Sequence, residues 1–231
     1  MIYGYDPMFM LLMILLGALM WGASAFVKSR FKKYSRVRTS SGMTGAQAAH
    51  LMLERSGVPG VPIERADGFL SDHYDPTKRV IRLSPDVYDS NSISAVGVAC
   101  HEAGHAVQHA RKYIFLPIRS LAVPMANSVS KIGFWIIIAG LIMHLTGLAI
   151  VGLALFSTVA LFQIINLPVE FDATARAKKA VVEYGIVQRG AEADGVSKVL
   201  NAAALTYLAA TLAAVVQVAY FAMQIFGGRR R

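Results

Sequence analysis

Charged residues are scarce in this sequence, at only 16% of its 231 residues. A typical soluble domain has about 25%. Every Lys, Arg, Asp and Glu lies outside three stretches, 8–27, 132–169 and 201–228. About 20 apolar residues cross the hydrocarbon core of a bilayer, so these lengths predict one span, a hairpin of two short spans and one further span. The sequence therefore argues against a soluble globule and predicts a mostly α-helical membrane protein with about four transmembrane helices.

Cysteine is also scarce, because Cys100 is the only one. This excludes an intrachain disulfide and a zinc site built from cysteines, and it suits a domain that faces a reducing compartment. The sequence has no phosphate-binding loop of the form G-x-x-x-x-G-K-[ST], so we expect no use of ATP. The net charge of +9 could suggest a nucleic-acid partner, but six Lys and Arg residues crowd into 28–38, directly behind the first apolar stretch. Such a flank is typical of a membrane anchor, and we expect no nucleic acid.

The distribution of positive charge predicts the orientation in the membrane. Residues 28–131 contain 15 Lys and Arg, and residues 168–200 contain 5. The positive-inside bias places both polar segments in the cytoplasm. No Lys or Arg precedes the first apolar run, as one would in a signal peptide, so we interpret residues 1–27 as a retained anchor. The remaining segments are a transmembrane hairpin at 132–167 and a C-terminal transmembrane helix with a basic tail at 201–231.

Local signals predict several elements of the polar segments. Residues 44–47 have the form of a capping box that leads into a helix ending near residue 55. Residues with β propensity flank the turn signal at 75–78, which predicts a β-hairpin over 68–83. A longer helix is expected from about Ser92 to Lys112. Pro168 suits the start of a further helix.

The longer helix contains an H-E-x-x-H motif, His101-Glu102-Ala103-Gly104-His105. Helical spacing puts the two histidines one turn apart on one face, so both imidazoles can reach a single zinc ion. Glu102 lies beside them, where it can act as general base towards a water molecule. The alternative interpretation is a pair of histidines on an ordinary amphipathic helix.

A catalytic zinc site needs a third protein ligand, and the residues leave three candidates. His109 lies one further turn along the helix, but a straight helix carries it too far from an ion held by His101 and His105. His73, on the predicted hairpin, is a second candidate. Glu170 is favoured, because the two-span hairpin returns it to the side of the membrane on which the two histidines lie.

The sequence resembles the YugP-like family of membrane zinc metallopeptidases over nearly its whole length. The resemblance is carried by the residues at 71–76, 81–84, 97–110, 167–173 and 198–207. It implies a bacterial integral membrane peptidase with one zinc ion per chain, laid out like the HtpX-like proteases, with a zincin-like α+β catalytic domain at 28–131. Carried over, His101 and His105 are zinc ligands, Glu102 is the general base, and Glu170, in the segment 168–200, is the third ligand.

One position departs from related glutamate zincins, which usually have the pattern E-x-x-x-D beginning at the glutamate ligand. Position 174 is Thr here. This leaves Asp172 as a residue that supports a ligand, pairs with Arg176 or is an ordinary surface charge.

The expected reaction is hydrolysis of peptide bonds in membrane or membrane-proximal proteins. The expected location is the bacterial cytoplasmic (inner) membrane, with the catalytic domain facing the cytoplasm. Partners are a protein or peptide substrate and the lipid bilayer, and the sequence does not predict an oligomeric state. His73 or Tyr74 could donate a hydrogen bond to the oxyanion, His109 could support the ligands, and the hairpin edge could pair with an extended substrate.

Two other functions remain open from the sequence. A site-2-type intramembrane protease would place H-E-x-x-H inside a span, but Arg111 and Lys112 follow Glu102 closely, which favours a site at the membrane surface. A non-catalytic zinc-binding scaffold or a transporter is the second alternative. A charged residue within a span would favour a transporter, and the three apolar stretches contain none.

Overall fold

The computed structural model describes residues 7–227, so the predicted basic tail lies outside the described residues. The helices and strands within this range follow one another as α1 (Pro7–Tyr34), α2 (Gly45–Arg55), β1 (Ile63–Arg65), β2 (His73–Asp75), β3 (Val80–Leu83), α3 (Pro85–Tyr88), α4 (Ile93–Ala110), α5 (Phe115–Pro124), α6 (Ser130–Ile142), α7 (Thr146–Glu183) and α8 (Ala191–Gly227). A π-helical segment, Met125–Val129, joins α5 to α6. The chain is thus mainly helical, as predicted.

The chain divides into two compact units, which are described separately. The first unit contains residues 7–23, Pro117–Leu167 and 207–227. The second contains Ser24–Leu116 and Pro168–Thr206. The H-E-x-x-H motif and Glu170 belong to the second unit.

Within residues 7–227, three helices are long and apolar enough to cross a membrane, namely α1, α7 and α8. The predicted break in the second apolar stretch is found between α6 and α7. However, α6 has only 13 residues. It is therefore about 20 Å long, short of the roughly 30 Å of the hydrocarbon core. Three candidate spans are present, and the fourth stays a prediction.

Close backbone contact joins α6 to α7 in the first unit. A Cβ atom at Gly140 would lie 2.5 Å from the backbone nitrogen of Ala149. Aromatic rings fill the adjacent core, where the ring of Phe221 lies 5.6 Å from that of Phe156 and 5.9 Å from that of Phe134. Such centroid separations are typical of favourable edge-to-face pairs. This unit is therefore stabilised by its own apolar packing.

Helix α4 is the centre of the second unit, and 15 of its 18 residues are buried. Ser92 caps its N-terminus by accepting a hydrogen bond from the backbone N–H of Ala95. Helix α2 packs beside α4, and the predicted capping box between Thr44 and Gln47 is present at its start. The predictions of both helices are confirmed.

The predicted β-hairpin is confirmed in β2 and β3, which pair antiparallel. Its turn is held by the Asp75 carboxylate, which accepts hydrogen bonds from the backbone N–H groups of Thr77 and Lys78. The expected first strand was too long, since residues 68–72 form a loop. Strand β1 was not predicted, and it pairs parallel with β3 to give the order β1-β3-β2. Strand β2 therefore lies at an edge of the sheet.

Pro168 lies inside α7 rather than at a helix start. The prediction that it begins a helix is therefore wrong. Proline removes one backbone hydrogen bond, but the other bonds of a 38-residue helix remain, and apolar helices tolerate the loss. Glu170 is consequently held on a continuous helix.

Gly104 allows α4 and α7 to approach closely within the second unit. A Cβ atom at Gly104 would lie 2.9 Å from the carbonyl oxygen of Ala173 and 3.3 Å from its Cα atom. At Gly97, on the same helix, the nearest atom to an added Cβ is a methyl carbon of Val196 at 3.3 Å. Backbone contact at Gly104 thus leaves no room for a side chain.

We expect Gly104→Ala to lower the free energy of unfolding by about 1–3 kcal/mol, because it forces α7 away from α4. Gly97→Ala is the matched control, since both changes improve helix propensity by about 1 kcal/mol and only Gly104 meets backbone. Denaturant unfolding of the detergent-purified protein measures the difference. Equal stabilities of the two variants would contradict the close helix contact.

Candidate metal centre

Two histidines point from α4 towards a common point. His101 and His105 are one helical turn apart, and their side chains are largely buried, with 9% and 4% of each residue exposed. Their ring centroids lie 4.8 Å apart. The helix thus presents two imidazole nitrogens together, as the spacing of the motif predicts.

Glu170 on α7 brings a carboxylate to the same point. Its Oε2 atom lies 3.3 Å from Nε2 of His101 and 3.6 Å from Nε2 of His105. Glu170 is fully buried, and the three donor atoms all lie within 4.8 Å of one another. Glu102, between the histidines in sequence, is also buried. The structure therefore brings together His101, His105 and Glu170, and Glu102 is buried on the same turn of α4.

Gln108 determines how the His105 ring is oriented and protonated. Its Nε2 atom donates hydrogen bonds to the carbonyl oxygen of Val169 and to Oδ2 of Asp172, each at 2.8 Å. These two acceptors place the Oε1 atom of Gln108 towards His105, 2.9 Å from Nδ1. An amide oxygen can only accept, so Nδ1 of His105 donates, and Nε2 is the ring nitrogen on the side of Glu170.

Thr174 has the corresponding position beside His101. Its hydroxyl oxygen lies 3.3 Å from Nδ1 of His101, and it can accept the proton on that nitrogen. Thr174 follows Glu170 by one turn of α7 and is itself buried. One turn of α7 therefore supplies both a carboxylate at the centre and a hydroxyl that supports an imidazole.

Asp172 continues the hydrogen-bonded chain behind His105. Besides Gln108, its carboxylate accepts a hydrogen bond from Nε of Arg176 at 2.6 Å. Asp172 thus pairs with Arg176 and also supports a candidate ligand, because Gln108 links it to His105. The guanidinium compensates the charge of a half-buried carboxylate and holds it against Gln108.

The other sequence candidates lie away from the centre. Among residues 7–227, the group of donor atoms that could share a metal ion includes neither His73 nor His109. Nδ1 of His109 is hydrogen-bonded to the hydroxyl of Tyr74, at 2.8 Å. His73 is exposed, and its Nδ1 lies 2.8 Å from the carbonyl oxygen of Ser71. Burial raises the pKa of the Tyr74 hydroxyl.

Cys100, next to His101 in sequence, is fully buried. Burial raises the pKa of its thiol to about 12. The thiol therefore stays protonated near neutral pH, and a protonated thiol is a poor nucleophile and metal ligand. The centre consists of nitrogen and oxygen donors.

Comparison with known proteins shows the family to which the chain belongs. Residues 9–226 match the family described as "Putative neutral zinc metallopeptidase". The chain belongs to this family. Over 214 residues it is 46% identical to the "Putative membrane protease YugP" of Bacillus subtilis (strain 168), an alignment that covers 93% of this chain and 94% of that protein. No solved structure matches the chain significantly. The resemblance inferred from the motifs is confirmed.

Sequence reasoning missed Gln108 and assigned no role to Thr174. Gln108 stands three residues after His105, a spacing that brings side chains together on a helix, so the local signal was present. Its partners Val169 and Asp172 are 61 and 64 residues away in sequence, and only the folded chain shows them.

We expect Gln108→Leu to weaken binding of a metal ion about 10–100-fold. Loss of the amide frees the His105 ring and leaves the Val169 carbonyl and the Asp172 carboxylate without this donor. Val107→Ala is the matched control. It removes apolar volume from the neighbouring position of α4 without touching either imidazole. Competition with a chelator of known affinity measures both variants. An equal loss of affinity in the two variants would show that Gln108 acts only through general stability.

Proposed function

We propose that this protein is a membrane-embedded zinc-dependent metalloendopeptidase that hydrolyses peptide bonds in membrane or membrane-proximal proteins. The observation that carries the proposal is the convergence of His101, His105 and Glu170, with Glu102 on the same turn of α4. Membership of a zinc metallopeptidase family supports it, as does a relative named as a membrane protease.

The donor set fits zinc. Two imidazole nitrogens and one carboxylate oxygen are a set found in catalytic zinc sites, and they leave a fourth position for water or substrate. Ligand atoms on a tetrahedral ion with bonds of about 2.0–2.1 Å lie about 3.3–3.4 Å apart. The separations from Glu170 Oε2 to the two histidine nitrogens, 3.3 and 3.6 Å, agree with this spacing.

The electrostatics also favour a cation. The hydrogen bond between His105 and Gln108 turns Nε2 of the ring towards Glu170, so two imidazole nitrogens and a carboxylate converge at one buried point. A buried charge is costly unless a charge of opposite sign compensates it. A divalent ion held by His101, His105 and Glu170, one per chain, would provide that compensation.

In the proposed reaction, zinc when bound would polarise the substrate carbonyl and make water a stronger acid. Glu102 takes a proton from the attacking water and then delivers a proton to the leaving amine. The Nδ1 atoms of His101 and His105 lie within hydrogen-bond distance of Thr174 and Gln108, respectively, which orient both rings towards Glu170.

The edge strand β2 offers a surface for an extended peptide. Strand order leaves one side of β2 without a neighbouring strand in the described sheet, so a substrate could add to it through backbone hydrogen bonds. Such pairing is tolerant of sequence. Tyr74, on this strand, is half-buried and bonded to His109, so we assign its hydroxyl to positioning and leave the oxyanion donor unassigned.

We further propose that residues 28–131 and 168–200 face the bacterial cytoplasm. The positive charge of both segments supports this orientation. It requires an even number of crossings between Lys131 and Pro168, and hence that α6 crosses together with α7. The apolar character of α6 and its close contact with α7 support a hairpin that enters and leaves as a pair.

We expect Glu102→Gln to retain about one zinc per chain while peptide hydrolysis falls at least about 100-fold, because the change removes the general base and keeps the shape of the side chain. His101→Ala, His105→Ala and Glu170→Gln should each lose zinc and activity together. Metal analysis and peptide assays on detergent-purified protein measure both quantities.

Glu183→Gln is the control for these variants, since it removes an exposed carboxylate of α7 that lies 3.9 Å from Lys179. It should change neither zinc content nor activity. Hydrolysis at the wild-type rate by Glu102→Gln would contradict the role of Glu102 as general base. Full zinc content in Glu170→Gln would show that another residue is the third ligand.

A further inference from the structure

A cavity of about 500 Å³ lies beside the C-terminal half of α4. The cavity lies wholly within the second unit. Ala106 and His109 of α4 line it, and Val58 and Val61, in the segment after α2, give it apolar walls. Two cations, Arg79 and Lys112, complete the lining, and no carboxylate of the described residues is among the lining groups.

The cavity follows Glu102 along one face of α4. Glu102, Ala106 and His109 stand at positions i, i+4 and i+7, which share a face of a helix. The seven residues from Glu102 to His109 span about 10 Å along the axis. A peptide in extended conformation covers about 3.3 Å per residue. A group in the cavity would therefore lie about three residues along an extended chain from the bond next to Glu102.

The charges of the cavity are available to a ligand. Arg79 and Lys112 are exposed, and neither forms an ion pair with another residue within the range 7–227. Arg79 lies near the Tyr74 hydroxyl: burial raises the pKa of Tyr74, and the charge of Arg79 opposes that effect. Tyr74 in turn is bonded to His109. A cation, a phenol and an imidazole are thus grouped around one space.

The backbone at both cations is strained. Arg79 has a φ angle of +53° and Lys112 one of +52°, in the left-handed region that favours glycine or asparagine. A residue with a Cβ atom pays about 1–2 kcal/mol there. Of the residues that line the cavity, Arg79 and Lys112 thus carry long cationic side chains at left-handed positions, at an energetic cost. Both positions lie in turns, one after α4 and one between β2 and β3, and both side chains line the cavity.

We propose that this cavity is a substrate subsite that binds a peptide carboxylate about three residues from the scissile bond. The proposal rests on the peptidase function proposed above. Arg79 and Lys112 attract the carboxylate, and the apolar walls accept the methylene groups that carry it. The carboxylate comes either from an Asp or Glu side chain or from the C-terminus of the peptide.

Fluorogenic peptides that differ in one position test the subsite. Glu and Gln are compared at each position up to four residues on either side of the cleaved bond, and a free C-terminal acid is compared with its amide. We expect Glu to raise kcat/KM about tenfold over Gln at one position, about three residues away, with a weaker effect at high salt. A preference for the C-terminal acid instead would identify the terminal carboxylate as the source.

Arg79→Asn and Lys112→Asn, which suit the left-handed backbone, should bring this Glu-to-Gln ratio towards one. Lys78→Asn is the matched control, since it removes the neighbouring cation of the same turn, which does not line the cavity, and it should keep the ratio. Hydrolysis without a charge preference at any position, or a preference unchanged in the two variants, would overturn the subsite. Failure to cleave any peptide in a zinc-dependent manner would instead overturn the peptidase function.

Discussion

The close contact between α4 and α7 is the constraint on which the candidate metal centre depends. Two histidines on one helix supply only one side of a metal site, and the other side must come from a second element. Glycine at position 104 lets the α7 backbone at Ala173 approach α4 within van der Waals distance. Glu170 lies three residues before this contact, so the approach brings its carboxylate to the imidazoles. The centre is therefore a property of helix packing as much as of the H-E-x-x-H motif.

The negative charge of a fully buried carboxylate such as Glu170 needs a compensating positive charge. Hydrogen bonds from neighbouring residues hold the two imidazoles that face it. Gln108 and Thr174 hold the Nδ1 atoms, while Asp172 and Arg176 anchor Gln108 from behind. Each partner fixes the orientation of the next, which reduces the reorganisation needed when a metal ion binds. The helices that carry the candidate ligands therefore also carry the groups that orient them.

Features that depend on neighbouring residues could be predicted from the sequence. The motif histidines, the capping box at Thr44 and the turn at Asp75 each depend on the spacing of a few residues along the chain, and all were found as expected. Glu170 was favoured as the third ligand because the number of apolar segments between it and His105 determines on which side of the membrane it lies.

Features that depend on distant partners could not be predicted. Strand β1 has three residues and pairs in parallel with a strand 15 residues further along, so its own sequence carries no pattern. Pro168 looked like a helix start because proline favours that position, yet the apolar helix continued through it. Gln108 acquires its role from acceptors on α7, and a single short motif gives no information on them.

The central claim is that one zinc ion binds to two histidines and a glutamate in the second unit. Zinc K-edge X-ray absorption on the detergent-purified wild-type protein tests it most directly. We expect one zinc per chain, with nitrogen and oxygen neighbours at about 2.0–2.2 Å, scattering from two imidazole rings and no sulfur in the first shell. Three imidazole rings around the metal, or a protein without stoichiometric zinc after purification in zinc-supplemented buffer, would contradict the account.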